Sequence, residues 1–148
     1  ITIVGETFLA FELAKLSIKS GAKSVNLITN ILSKRVSSIP HEINKLEALG
    51  INHYEQIEPR DFISLCKQSD LVIQARVNDN CIDLNLNNHL NSALKIQSKI
   101  IVNPDTLLLK NQENIYAGGQ MIESNNSLLD SINDGRRAAI GIHNKLSN

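Results

Sequence analysis

The feature that most limits how this chain can fold is its alternation of short β-branched runs with stretches of helical period, with Gly or Pro at the joins. Ile1-Thr2-Ile3-Val4 reads as a strand that Gly5 breaks, and residues 7–20 then place apolar side chains at helical spacing until Gly21. Val25-Asn26-Leu27-Ile28 supplies the next strand, so the first thirty residues read as one βαβ unit, for which a right-handed crossover is expected. The pattern repeats. Pro40 opens a helix carrying Ile43, Leu46 and Leu49 that Gly50 stops, and residues 51–54 form a short strand. Pro59 opens a helix through residue 67 with Phe62, Ile63 and Cys66 on its apolar side, and Asp70-Leu71-Val72-Ile73 returns as a strand. Residues 78–91 are rich in Asn and Asp and read as loop, with a helix beginning near its end. Ile100-Ile101-Val102 is the next expected strand, ended by Asn103-Pro104. Ile115-Tyr116-Ala117 precedes Gly118-Gly119, and Leu128, Ile132, Ala139, Ile142 and Leu146 mark one face of a long terminal helix. The expected class is α/β, a parallel sheet with helices on both faces.

Composition narrows the function classes. A chain of 148 residues with 42% hydrophobic content can bury a core of its own. Fifteen basic residues balance fifteen acidic ones, so no net field draws the protein to nucleic acid or an anionic membrane. Aromatic residues are only 3%, which removes the stacking platforms of single-strand binders. Cys66 and Cys81 have neither disulfide nor metal spacing and read as free thiols of a reducing, cytoplasmic compartment. His41, His53, His89 and His143 are scattered, so no metal site is expected. No run approaches the ~18 apolar residues of a membrane span. No Ser/His/Asp or Cys/His arrangement stands at readable spacing, and no catalytic side chain is expected. Because the chain opens inside a strand-like run without an initiator Met, a piece of a longer polypeptide is expected.

The turn after the first strand reads Gly5-Glu6-Thr7-Phe8-Leu9-Ala10. In the dinucleotide-binding fingerprint, one glycine makes the tight turn, a second lets backbone approach the pyrophosphate, and a third small residue permits close helix–strand packing. Gly5 and Ala10 suit the first and third roles, while Thr7 puts a side chain where the second glycine would be. Thr7 can still donate to a phosphate; Glu6 beside it opposes an anion unless it turns to solvent. At the end of the second strand an acid would bind ribose and arginines a 2′-phosphate. Thr29 and Asn30 are neither, and Lys34 and Arg35 lie a few residues on. The choice between NAD and NADP stays open.

The second glycine turn, Ile115-Tyr116-Ala117-Gly118-Gly119-Gln120-Met121-Ile122, and the following Asn126-Ser127-Leu128-Leu129-Asp130-Ser131-Ile132-Asn133-Asp134-Gly135-Arg136-Arg137-Ala138-Ala139, resemble the flavin-binding C-terminal signature of a known family. It is that of the glutamate synthase small subunit and the flavin half of dihydropyrimidine dehydrogenase, which are of the FAD- and NAD(P)H-dependent pyridine nucleotide-disulfide oxidoreductase type. Gly5, Ala10, Phe11, Ala14, Gly21, Ala22 and Val25 fall in the family's register. Pro40 and Glu42 stand at a similar helix start, and Ser69-Asp70-Leu71-Val72-Ile73-Gln74-Ala75 resembles its returning strand. The likeness spans most of the chain.

The resemblance implies a Rossmann-like NAD(P)-binding domain over residues 1–110 and, over residues 111–148, the last strand and helix of an FAD-binding domain into which the first is inserted. It implies hydride transfer from NAD(P)H to FAD and onward passage of electrons. The implied partners are the remainder of the FAD domain, in the same or another chain, and an iron–sulfur or amidotransferase-type subunit. The cofactor-binding positions it implies are Gly5, Glu6, Thr7, Ala10, Thr29, Asn30, Arg35, Ala75, Arg76, Gly118, Gly119 and Gln120. Ser127, Leu128 and Leu129 join them, since the family aims the N-terminus of that helix at the flavin. The departures are Thr7 for the middle glycine, Asn30 and Ser37 for basic residues, Arg76-Val77 for small ones, and Gln120 for the acid that holds the ribityl chain. The segment between Tyr54 and Asp70 also lacks the family's β-rich excursion. These losses support an alternative expectation, a structural or assembly subunit of an oxidoreductase complex that keeps only the fold.

Overall fold

The computed structural model describes residues 1–5, 7–29, 39–55, 57–75, 101–110, 113–119, 122 and 127–147. The chain divides into two compact units, Ile1–Ile82 and Asp83–Asn148.

In the first unit the elements run β1 (Thr2–Val4), α1 (Phe8–Lys19), β2 (Asn26–Ile28), α2 (Ile39–Ala48), β3 (Asn52–Tyr54), α3 (Pro59–Gln68) and β4 (Val72–Gln74). The four strands form one parallel sheet in the order β3-β2-β1-β4. Glycine ends both of the first two helices for the same reason. Gly21 at φ +93° and Gly50 at φ +83° take the left-handed conformation that side chains disfavour. Each lets the chain fold back: Gly21 and Ala22 donate to the carbonyls of Ile18 and Ser17, and Gly50 and Ile51 to those of Glu47 and Leu46.

Strand alternation sorts the side chains onto two faces. Ile3 and Leu27 share a register row and pack with Ala10, Phe11 and Ala14 of α1 and Leu46 of α2. Burying each larger member of this cluster contributes roughly 1.5–3 kcal/mol. The other face carries a polar ladder along the row Thr2, Asn26, Asn52. Asn52 Nδ2 donates to Asn26 Oδ1 at 3.0 Å, Asn26 Nδ2 to Thr2 Oγ1 at 3.3 Å, and Thr2 Oγ1 meets Ser69 Oγ, just after α3, at 2.7 Å. Thr2, Val4 and Ile28 are buried as well, so both faces of the two central strands are covered, as parallel pairing requires.

The second unit departs from one expectation. Val102 does not extend a parallel strand; it bridges Leu109 antiparallel, and Leu108 in turn bridges Tyr116. Asn103 reverses the chain. Its Oδ1 accepts from the amides of Asp105 at 2.8 Å and Thr106 at 3.2 Å, and its carbonyl accepts from Leu107 at 2.8 Å. Side-chain capping of its own backbone by Asn makes a turn that periodicity does not register. Residues 101–110 thus hydrogen-bond to residues 115–117: Leu109 N–H to Ile115 O and Ala117 N–H to Leu107 O. The terminal helix, α4 (Leu128–Leu146), forms as its periodicity indicates. Its apolar stripe faces outward, with Leu128 80%, Ile132 59% and Leu146 61% exposed, while Asp134 on the other side is 2% exposed. On that inward side backbone passes close to Gly141. A Cβ on Gly141 would come within 2.9 Å of the Tyr116 ring and 3.2 Å of the Thr106 carbonyl. The loop and helix expected over residues 78–91 and beyond lie outside the described residues.

Candidate functional site

The carboxyl ends of the strands bring one set of the sequence-derived positions together. β1 and β4 are adjacent in the sheet although α1, β2, α2, β3 and α3 separate them in sequence, so the strand order reverses at this pair. Such a reversal opens a crevice at the carboxyl edge, where α/β sheets bind ligands. Gly5 and Ala75 follow β1 and β4 there, Gly5 donating to Ile28 O at 3.0 Å and Ala75 to Val4 O at 2.9 Å.

Gly5 is required by proximity. A Cβ at this position would lie 2.2 Å from Ala75 O and 3.0 Å from Ala10 Cβ, so turn, returning strand and helix meet with no space for a methyl group. Ala10 is fully buried against this turn. Thr7 is the N-cap of α1 in extended conformation, φ −102° and ψ 162°, yet its side chain makes no capping bond. Its Oγ1 is buried and has no hydrogen-bond partner among the described residues. A buried unpaired hydroxyl costs about 1–3 kcal/mol, and such a group in a native fold calls for an explanation. The first turn of α1 holds no acidic residue, so the positive end of its dipole is not offset from within the helix.

Thr29, at the end of β2, is only 1% exposed. Its hydroxyl is engaged by His53 Nε2 at 2.8 Å, and His53 Nδ1 lies 4.0 Å from Glu47 Oε1. Burial pushes the His53 imidazole below its ordinary pKa, and the charges of Glu47 and Glu55 pull the other way. Sequence reasoning missed His53, because its meeting with Thr29 depends on β2 and β3 lying side by side. Glu6, Asn30, Arg35 and Arg76 lie outside the described residues.

The second glycine turn is built differently. Gly119 takes φ +66° and accepts from Ile122 N–H at 3.2 Å. Its own amide donates to Asp134 Oδ2 at 3.1 Å, reaching across from α4. Asp134 Oδ1 accepts from Arg137 Nη2 at 2.8 Å, and Arg137 Nη1 donates to Pro104 O. Ser127 begins α4 with a reciprocal capping box: Asp130 N–H donates to Ser127 Oγ at 3.1 Å and Ser127 N–H to Asp130 Oδ2 at 3.1 Å. The hydrogen bonds from Ser127 hold the Asp130 carboxyl below its usual range. A carboxylate of the chain itself therefore occupies this helix end, the opposite of the arrangement at α1. Leu128 and Leu129 are exposed, and Gln120 lies outside the described residues. The signal for Asp134 in the sequence is an acid off the apolar stripe of α4, four residues after Asp130.

Among the described residues no group of three or more His, Cys, Asp or Glu could hold a metal ion, and no helix is long and apolar enough to cross a membrane. No family model matches the chain, and no curated protein matches it in sequence.

Proposed function

We propose that this chain is the pyridine-nucleotide-binding portion of an FAD-dependent oxidoreductase similar to the glutamate synthase small subunit and the flavin half of dihydropyrimidine dehydrogenase. On this reading the first unit is a Rossmann-like domain. The right-handed crossover rule assigns α3 to the face opposite α1 and α2, which fits the contact of Ser69 with Thr2. The segment from residue 111 is then the closing strand and helix of the FAD domain, whose remainder lies in the same or another chain.

One observation carries the reading: the glycine turn and the N-terminus of α1 stand at the strand-order reversal with the Thr7 hydroxyl buried and unpaired among the described residues. A pyrophosphate there would meet the positive end of a helix and give that hydroxyl an acceptor. Ala10 and Gly5 keep helix and turn close enough to present backbone amides. Reduced nicotinamide would supply the hydride and flavin would accept it, with electrons leaving to an iron–sulfur or amidotransferase-type partner. The protein's part is to bind and orient. Calorimetric titration with NADH and, separately, NADPH tests this: saturable binding of either is expected, and no binding of both by a folded protein rejects it.

A second reading, a structural or assembly subunit that keeps the fold without the chemistry, is favoured by the second turn. There Asp130 caps the helix from within and Asp134 takes the Gly119 amide. An absorption spectrum of the intact protein separates the two readings. Flavin bands bleached by reduced pyridine nucleotide are expected on the first reading and excluded by the second.

A further inference from the structure

We propose that the outward face of α4 is a dimer interface, which takes the same helix of a second copy of this chain in antiparallel register. The inference goes beyond the nucleotide reading above and does not rest on it.

The outward stripe is a heptad seam. Leu128, Ile132, Gly135, Ala139, Ile142 and Leu146 alternate at spacings of four and three, the repeat that keeps one helix seam against another. From either end the seam runs large, large, small, small, large, large. An antiparallel copy therefore sets Leu128 against Leu146, Ile132 against Ile142 and Gly135 against Ala139, with bulk at both ends and close approach at the crossing. A two-fold axis makes each of these contacts twice, and opposed helix directions align the two macrodipoles favourably.

Gly135 is an independent observation. A Cβ on Gly118 would come within 3.0 Å of a neighbour and one on Gly141 within 2.9 Å, whereas one on Gly135 would meet nothing within 4 Å among the described residues. Glycine inside an exposed helix costs stability that alanine would keep. Within one copy Gly135 has that cost and no packing reason; at the crossing of two helices it has one. The available area is also adequate. Leu128, Leu129, Ile132 and Leu146 are all exposed and, at roughly 100 Å² of apolar surface each, bring roughly 800 Å² over two copies. The small residues between them carry this toward the ~1,000 Å² at which a specific interface begins, so association of roughly micromolar strength is expected.

One charge opposes the pairing and gives it a signature. Arg136 is exposed beside the crossing, where the two-fold axis brings it near its own counterpart. The acids of α4 do not offset it from this face: Asp130 bonds Ser127, and Asp134 is buried on the inward side with Arg137. The long Arg136 stem carries its guanidinium toward solvent, and salt screens the repulsion that remains. Association should therefore strengthen as salt is added, the reverse of an interface held by ion pairs.

Sedimentation equilibrium of the intact protein at ~1–100 μM tests this, with two variants that each place a charge where the helix dipole favours it and so preserve the fold, as circular dichroism would verify. Leu128→Glu alone and Leu146→Lys alone should each weaken self-association about tenfold or more. Their equimolar mixture should recover most of it, because only the antiparallel register sets the new Glu against the new Lys while the other end keeps its leucine pair. Gly135→Leu should raise helix propensity yet weaken association about tenfold, and Arg136→Ala should tighten it. A wild type that stays monomeric across the range, with the stripe covered by other parts of the intact protein, overturns the proposal and leaves the nucleotide reading standing. A dimer that the mixture fails to restore, or that Gly135→Leu leaves unchanged, overturns it as well.

Discussion

Thr7 carries opposite demands. Its hydroxyl is buried without a partner among the described residues, so replacing it by an isosteric methyl should leave stability unchanged or raise it by up to about 1 kcal/mol. The same hydroxyl is the group offered to a phosphate. Thr7→Val should therefore hold or raise the urea midpoint while weakening dinucleotide binding about tenfold, the loss of one bond to a charged group. Unchanged affinity with raised stability would mean that the hydroxyl meets no ligand. Gly5 gives the contrasting case, because its neighbour is backbone rather than space. A Cβ placed 2.2 Å from Ala75 O must force turn and strand apart, and Gly5→Ala should destabilise by about 3 kcal/mol, read as a lower denaturation midpoint.

At the scale of elements, the two helix ends differ in what completes them. α1 begins at a residue that makes no side-chain cap, whereas α4 begins with a reciprocal box between Ser127 and Asp130. Ser127→Ala should cost about 1 kcal/mol of helix stability, measurable by circular dichroism during urea unfolding. The Asp130 carboxyl is held below its ordinary value of 3.8, so its contribution is present above that pH and lost as pH falls through the lower folded value. Farther along α4, alanine at Gly141 would improve helix propensity, yet its Cβ would press on the Thr106 carbonyl and the Tyr116 ring. The clash with backbone decides the sign, and Gly141→Ala should lower stability by roughly 1–2 kcal/mol.

At the scale of the whole molecule, the first unit carries a pH dependence near neutrality to which the His53 imidazole contributes. His53 is packed among β2, β3 and α2, faced by the Thr29 hydroxyl, Glu47 and the nearby Glu55, and burial holds its pKa below the ordinary 6.5. The unfolded chain then binds more protons than the folded one between the two values. Stability should be complete above about pH 6.5 and should decline as pH falls toward the lower folded pKa, in a window that His53→Gln abolishes. Denaturation midpoints measured across that range for both proteins check the sign.

The order and kind of elements in the first unit were determined by the sequence alone. β-branched runs, Gly21 and Gly50 at left-handed stops, and Pro59 at a helix start act through local dihedral preferences that need no distant partner. Pairing is another matter. Only the tertiary structure set β4 beside β1, pressed Gly5 against Ala75, and joined Thr29 to His53, since each joins residues far apart in sequence. It also decided the orientation of α4. Periodicity identifies that helix but cannot say which side faces protein, and here the close approach of Thr106 and Tyr116 backbone and ring selects the side with Gly141, bringing the Asp134 carboxylate to the Gly119 amide.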